Sequence, residues 1–384
     1  MRNVLKWVAV FTGALLGFGP VTAAELKIGV AEALTGPAAK YGIPIKNGFV
    51  LAAEEINARG GVAGNKLQLV IEDEQGKKEE AINVFKKLIF KDKVLAIFGP
   101  TLSNSAFAAD PVADQAKVVV FGTSNTASGI TDIGPWVFRN SIMDADVLPV
   151  TLSTAIQHFK IKKVAVLYGN DDAFTKSGYD VVKSVLQSRN MPITDTETFA
   201  KGDVDFRAQL TNIKAGNPDA IICMALAEEA ANIILQARGL GITQPFIGGN
   251  GFNSPKIFEI AKSAADNTVV GSPWAAESSS PKNKAFVAAY QKKYGAPPDQ
   301  FAAQAYDALY ILVEALSKMR LSGNLRADRS ALRDQLPAIR YEGVTGPFSF
   351  RKAHSKNGKE GGYDAQQTPH VFISRNGKFT LLKN

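Results

Sequence analysis

Residues 98–110 read FGPTLSNSAFAAD, the end of an apolar strand running into a helical turn. Ser103 and Ser105 are residue types favoured where helices begin. The unpaired backbone N–H groups of a helix start attract an anion, and a serine hydroxyl adds a donor. The same serines would serve equally well as plain caps. Residues 121–131, FGTSNTASGIT, place a second set of small polar groups at the next strand end. They could meet a ligand or simply make local turns. Such chemistry is the holding of a small anion by neutral donors. Nothing in the chain promises bond making: there is no G-x-S-x-G, H-E-x-x-H, P-loop or dinucleotide fingerprint. His158, His354 and His370 have no metal-ligand spacing, and Cys223 sits in an apolar run as a core residue. We therefore expect no enzyme, no metal and no cofactor.

The elements that must position these groups alternate in type. Residues 26–31 read as a buried strand, Thr35-Gly36-Pro37 as a loop, and 45–59 as a helix with Ile45, Phe49, Ala52 and Ile56 on one face. Strands at 66–73, 94–98 and 118–121 follow, with helices between them and a kink or restart expected at Pro111. The pattern begins again at 163–167 and continues through 246–248. Two rounds of strand and helix predict an α/β protein of two doubly wound parallel sheets. In such sheets ligands bind at the carboxyl ends of the strands.

The first 24 residues stand apart. Arg2 and Lys6 precede an apolar core at 8–18 and a small-residue site at 21–24, the pattern of a cleavable signal peptide. The formal charge of +8 includes Arg2 and Lys6, so +6 remains after their removal. Lysines scattered beside acids, as in KKEE at 77–80, form a solvated face and not a nucleic-acid patch.

The runs IKNGFVLAAEEINARGG, DVDFRAQLTNIKAGNPDAI and QFAAQAYDAL resemble the leucine/isoleucine/valine-binding family of periplasmic solute-binding proteins, along essentially the whole mature chain. The resemblance implies the type I periplasmic-binding fold, with two lobes joined by three crossings near 143–146, 271–277 and 343–348. The amino-terminal lobe would be 25–144 plus 276–345, and the other 145–275 plus 346–384. It implies a monomeric periplasmic protein that captures a small solute and meets, transiently, the permease subunits of an ABC-type importer. The alternative is a sensor of the same fold that presents ligand to a membrane receptor.

By the same resemblance Ser103, the backbone of Asn125 and the Thr126 hydroxyl would hold a ligand carboxylate. From their placement in the first loop and after predicted strands, Tyr41, Phe174 and Trp274 would close on its apolar part, although any one of them alone is more often core than pocket. Two positions depart from the family's amino-acid binders. Asn250 stands where an acid would hold an ammonium, and Leu226 replaces an aromatic. An ammonium desolvated in a closed cleft needs a compensating charge, which Asn250 lacks. Glu228 or Glu229 could supply it, but acids are favoured in a first helical turn anyway. The expected ligand is therefore an amine-free acid, such as an aromatic acid, ahead of a branched-chain amino acid.

Overall fold

The computed structural model describes residues 25–354, 358 and 360–382. The expected signal peptide, 1–24, lies outside the described residues. Strand β1 (Glu25–Glu32) leads into helix α1 (Ala39–Ala58), followed by β2 (Lys66–Asp73), α2 (Lys78–Lys86), β3 (Ala96–Phe98), α3 (Ser103–Gln115), β4 (Val119–Gly122) and β5 (Val137–Arg139). Helix α4 (Asp144–Phe159) opens the second round: β6 (Val164–Gly169), α5 (Ala173–Ser188), β7 (Ile193–Phe199), α6 (Arg207–Gly216), β8 (Ala220–Met224), α7 (Ala227–Gly239), β9 (Phe246–Gly248), α8 (Lys256–Ala261) and β10 (Thr268–Ser272). The chain ends with α9 (Pro281–Tyr294), α10 (Gln300–Ser317), α11 (Leu325–Gln335), β11 (Arg340–Gly343), β12 (Gly346–Lys352), β13 (Tyr363–Gln366), β14 (His370–Arg375) and β15 (Lys378–Leu381).

Each round makes its own sheet. Strand order is β11-β12-β13-β5-β4-β3-β1-β2 in one and β15-β14-β10-β9-β8-β6-β7 in the other. The parallel portions, β2-β1-β3-β4-β5 and β7-β6-β8-β9-β10, share one plan: the order reverses beside the first strand of each round. That reversal opens a crevice at the carboxyl strand ends. Here it lies between β1 and β3 in one lobe and between β6 and β8 in the other.

Apolar runs account for the parallel strands. β3, β4 and β8 are buried along their whole length, as strands covered on both faces must be. Rings from successive elements pack through the first lobe: Phe49 of α1 on Phe98 at 4.4 Å between centroids, and Phe98 on Phe121 at 5.5 Å. Helix α10 lies against α1, and the approach is close at Gly48, where a Cβ would stand 2.2 Å from the Ala302 carbonyl oxygen. Helix α3 runs unbroken through Pro111, and no restart occurs there.

The third crossing departs from expectation. Residues 343–348 do not leave the first lobe. Arg340 to Gly343 pair antiparallel with Gly346 to Ser349, so this stretch is a hairpin within one sheet. The Asp307 carboxylate fixes its turn by accepting from Val344 N at 2.9 Å, Thr345 N at 2.8 Å and Thr345 Oγ1 at 2.6 Å. β12 then pairs with β13, and β13 with β5. The chain passes to the second sheet only between Gln366 and His370, where β14 joins β10. The β14–β15 hairpin turns at Asn376-Gly377, both at positive φ (51° and 74°), as a two-residue hairpin turn demands. No helix among the described residues is long and apolar enough to cross a membrane.

Candidate functional site

The carboxyl strand ends of the two sheets face each other, and between them lies a small cavity. Its wall is formed by Tyr41, Thr101, Leu102, Ser103, Ser124, Asn125, Asp172, Phe174, Leu226, Asn250, Gly251 and Phe301. Its volume of about 30 Å³ suits one water molecule, so a larger solute enters only if the lobes part. A wider, open groove of about 740 Å³ adjoins it among α3, α4 and α5, with Asp172 lining both.

One side of the cavity is a row of donors from the first lobe. Gly99 follows β3, and its φ of +112° carries the chain past the Ala31 carbonyl where a Cβ would collide. Thr101 and Ser103 follow at once. Leu102, not a serine, takes the N-cap position of α3 in extended conformation. Ser103 is thus the first helical residue. Its Oγ accepts from Ala127 N at 3.3 Å, which leaves its hydrogen to give. Ser124 Oγ donates to the Thr101 carbonyl at 2.7 Å, and Asn125 Nδ2 to the Pro100 carbonyl at 3.0 Å, tying the β4 loop to the β3 loop. Arg139 holds this loop from behind. Its Nη1 donates to Ala127 O at 2.8 Å and Asn125 O at 3.4 Å, while its Nε pairs with the Asp364 carboxylate at 2.6 Å.

The opposite side belongs to the second lobe. Asp172 caps α5, with Oδ1 accepting from Phe174 N at 2.9 Å and Thr175 N at 3.2 Å. Burial pushes its carboxyl above the usual range. Its Oδ2 accepts from Asn104 Nδ2 of the first lobe at 2.7 Å, and Ala173 N donates back to Asn104 Oδ1 at 3.0 Å. Asn250 Nδ2 donates to Ser124 O at 3.0 Å, and its Oδ1 accepts from Gln300 Nε2. Tyr41 reaches across to donate to Gly251 O and accept from Ala227 N. The lobes are therefore closed on each other through direct hydrogen bonds.

Of the residues singled out in the sequence, Tyr41, Ser103, Asn125, Phe174, Leu226 and Asn250 come together around this cavity. Two do not. Thr126 is buried behind the wall, and its hydroxyl donates to Asp144 Oδ2 at 3.1 Å. Trp274 lies in the return crossing, where its indole N–H donates to Asn283 Oδ1 at 2.7 Å beside a separate apolar groove. Neither Glu228 nor Glu229 reaches the cavity. Glu228 pairs with Lys40 at 2.9 Å on the lobe junction, and Glu229 accepts from Gly202 N at 3.4 Å. Thr101, Ser124, Asp172 and Phe301 also line the cavity. Thr101 and Ser124 sit inside the two motifs quoted above, and that was the signal available for them.

Known proteins resemble this chain along most of its length. The family described as periplasmic binding protein matches residues 25–363. The Leu/Ile/Val-binding protein BraC3 of Rhizobium johnstonii is 28% identical over 331 residues, covering 86% of this chain and 89% of that protein. The substrate-binding protein LivJ of a branched-chain amino acid transporter from Streptococcus pneumoniae, solved with isoleucine, is 31% identical at a TM-score of 0.82, covering 92% of this chain and 97% of its own. A solute-binding protein of an ABC transporter from Rhodopseudomonas palustris BisB5, solved with 3,4-dihydroxybenzoic acid, is 26% identical at a TM-score of 0.77, covering 92% and 95%.

Proposed function

Since this chain belongs to the periplasmic binding protein family, we propose that it captures a small carboxylate-bearing solute between its lobes and delivers it to an ABC-type importer. On this reading the first 24 residues export it to the periplasm, where it works as a monomer and catalyses nothing. Asn140 to Met143, Pro273 to Ser280 and Gln367 to Pro369 serve as its hinges.

One observation carries the choice of ligand. Hydroxyls and a helix start gather on one cavity wall, aromatic rings on the others, and no carboxylate there lacks partners among the protein's own N–H groups. Ser103, the Thr101 hydroxyl and the backbone at Asn125 would take the ligand carboxylate. Tyr41, Phe174, Leu226 and Phe301 would enclose its apolar body, with Asn250 meeting a polar substituent. An amine-free acid, above all an aromatic one, suits that set. The relative solved with 3,4-dihydroxybenzoic acid supports it.

A second reading rests on Asp172. Its carboxylate borders the cavity and could answer an ammonium if Asn104 turned away. The relative solved with isoleucine supports that reading.

A thermal-shift panel of benzoate, 3,4-dihydroxybenzoate, leucine and isoleucine tests the proposal. Only a ligand that binds the native state raises the melting temperature, and a hundredfold excess over Kd adds about 2.7 kcal/mol. Aromatic acids should give the larger shifts. If all four leave the melting temperature unchanged, the proposed ligand class is wrong.

A further inference from the structure

Two carboxyl groups lie directly behind the donor wall. Glu32 ends β1 and Glu74 follows β2, and neither has any solvent exposure. Thr101 Oγ1 stands 2.5 Å from Glu32 Oε2, and Ser105 Oγ stands 3.0 Å from Glu74 Oε2. Glu32 Oε1 is buried with no hydrogen-bond partner in the protein, while the Glu74 carboxyl lies within hydrogen-bond reach of both Ser105 and Thr101. Thr101 Oγ1 also accepts from Ala33 N at 2.8 Å, and Thr101 forms part of the cavity wall.

The ionisable groups facing this cluster are all acidic. Glu32 comes from β1, and Asp73 and Glu74 from the end of β2. The β3 loop and α3 contribute only the neutral Thr101, Ser103 and Ser105. Burial drives the Glu32 carboxyl well above the usual range, and the nearby Glu74 adds to the effect. Burial likewise pushes Glu74 up to about 7. Asp73, despite some burial, is held below the usual range by hydrogen bonds from Thr35, Leu34 and Gln75.

We propose that Glu32 is a positioning residue for ligand binding, because the state of its carboxyl decides where the Thr101 hydroxyl hydrogen points. A hydroxyl has one hydrogen to give and two lone pairs to receive with. When Glu32 is ionised it takes that hydrogen, and Thr101 has nothing to offer the cavity. When Glu32 holds a proton it donates to Thr101 Oγ1 instead. Thr101 then accepts from Glu32 and Ala33 and gives its own hydrogen to a carboxylate oxygen in the cavity. Binding of a carboxylate is therefore coupled to a proton held on Glu32. This inference rests on the carboxylate reading of the site.

The experiment has two arms. The first is infrared spectroscopy of the protein without added ligand at pH 7.5. It should show the C=O stretch of a protonated carboxylic acid, reduced in Glu32→Gln. An unchanged band in the variant, or no band, overturns the proposal.

The second arm is calorimetric titration with benzoate and with leucine from pH 6 to 9, where both carboxylates stay ionised. Wild-type affinity should fall with rising pH, by up to about tenfold per unit once Glu32 loses its proton. Glu32→Gln, whose amide donates to Thr101 permanently, should bind at pH 6 like wild type and keep its affinity at pH 9. Thr101→Val should bind more weakly at every pH and without the slope. A wild-type profile that stays flat while the Glu32 infrared band is lost across the same pH range, or a Glu32→Gln profile that falls like wild type, overturns the proposal. If neither probe binds at any pH, the carboxylate reading has failed and the ligand-directed role of Thr101 fails with it. The infrared band then still reports whether Glu32 holds a proton.

Discussion

The hydroxyl of Tyr41 and the carbonyl oxygen of Gly251 lie 2.9 Å apart, although the two residues are 210 positions apart and belong to different lobes. The same hydroxyl accepts from Ala227 N at 2.8 Å, so one oxygen ties α1 to the start of α7 and to the loop after β9. Tyr41 is thus a latch as well as a wall. Tyr41→Phe keeps the ring against Phe301, 5.1 Å between centroids, and removes both bonds. A net hydrogen bond is worth about 0.5–1.5 kcal/mol. We predict a several-fold faster ligand dissociation in stopped-flow measurements and a larger radius of gyration by small-angle scattering. An unchanged off-rate would remove the latch.

The Arg139–Asp364 pair supports the donor wall. It is buried, and the guanidinium also holds the carbonyls of Asn125 and Ala127. Removing one partner of a buried pair strands the other charge, at a cost of about 3–5 kcal/mol. Arg139→Leu should lower the urea midpoint accordingly and weaken ligand binding beyond that of a surface arginine variant. A midpoint equal to wild type would contradict this.

Stability should fall as pH rises through the mildly acidic range. Burial raises Glu74, Asp144 and Asp299 to about 7 and Asp307 to about 6. Such acids bind more protons folded than unfolded between the ordinary carboxylate value and those raised values. In that window stability decreases with pH, so their contribution is full below about pH 4 and lost by about pH 7. Asp205 and Glu360, lowered mainly by hydrogen bonds from Arg207 and Lys352, act in the opposite direction but are exposed. We predict a higher melting temperature at pH 5 than at pH 8. The reverse order would show that these buried acids remain ionised.

Specificity should follow the charge at one position. Ser103→Ala removes a donor to the ligand carboxylate and should cost roughly 0.5–3 kcal/mol of binding. Asn250→Glu places a negative charge on the cavity wall. It should weaken benzoate and favour leucine, because it repels an anion and attracts an ammonium. Titrations of both ligands against both forms decide this, and equal preference before and after would count against it.

Much of the plan could be read from the chain because local signals carried it. The strand at 26–31, the small-residue loops after β3 and β4, and Tyr41 and Phe174 placed just after strands all lie within a few residues of what they do. What escaped depends on distant partners. Thr101 is one hydroxyl among several until Glu32, 69 residues earlier, is seen to face it. Asp172 is one of two neighbouring loop acids in the sequence, yet it is the buried cap of α5 and meets Asn104 from the other lobe. Phe301 reaches the cavity only because α10 returns to the first lobe. The turn at Val344-Thr345 resembles a lobe crossing until Asp307, from a helix 37 residues away, is found gripping it. Trp274 follows a strand as pocket aromatics do, but its chain has already turned into the crossing.

The most direct test of the account is a competition titration on the unmodified mature protein freed of bound solute by unfolding and refolding. Benzoate and leucine are titrated separately and then against each other. One benzoate should bind per chain, displaced only weakly by leucine, with lobe closure visible by scattering. Tight leucine binding that benzoate does not disturb would contradict it, and would make Asp172 the partner of the ligand's ammonium.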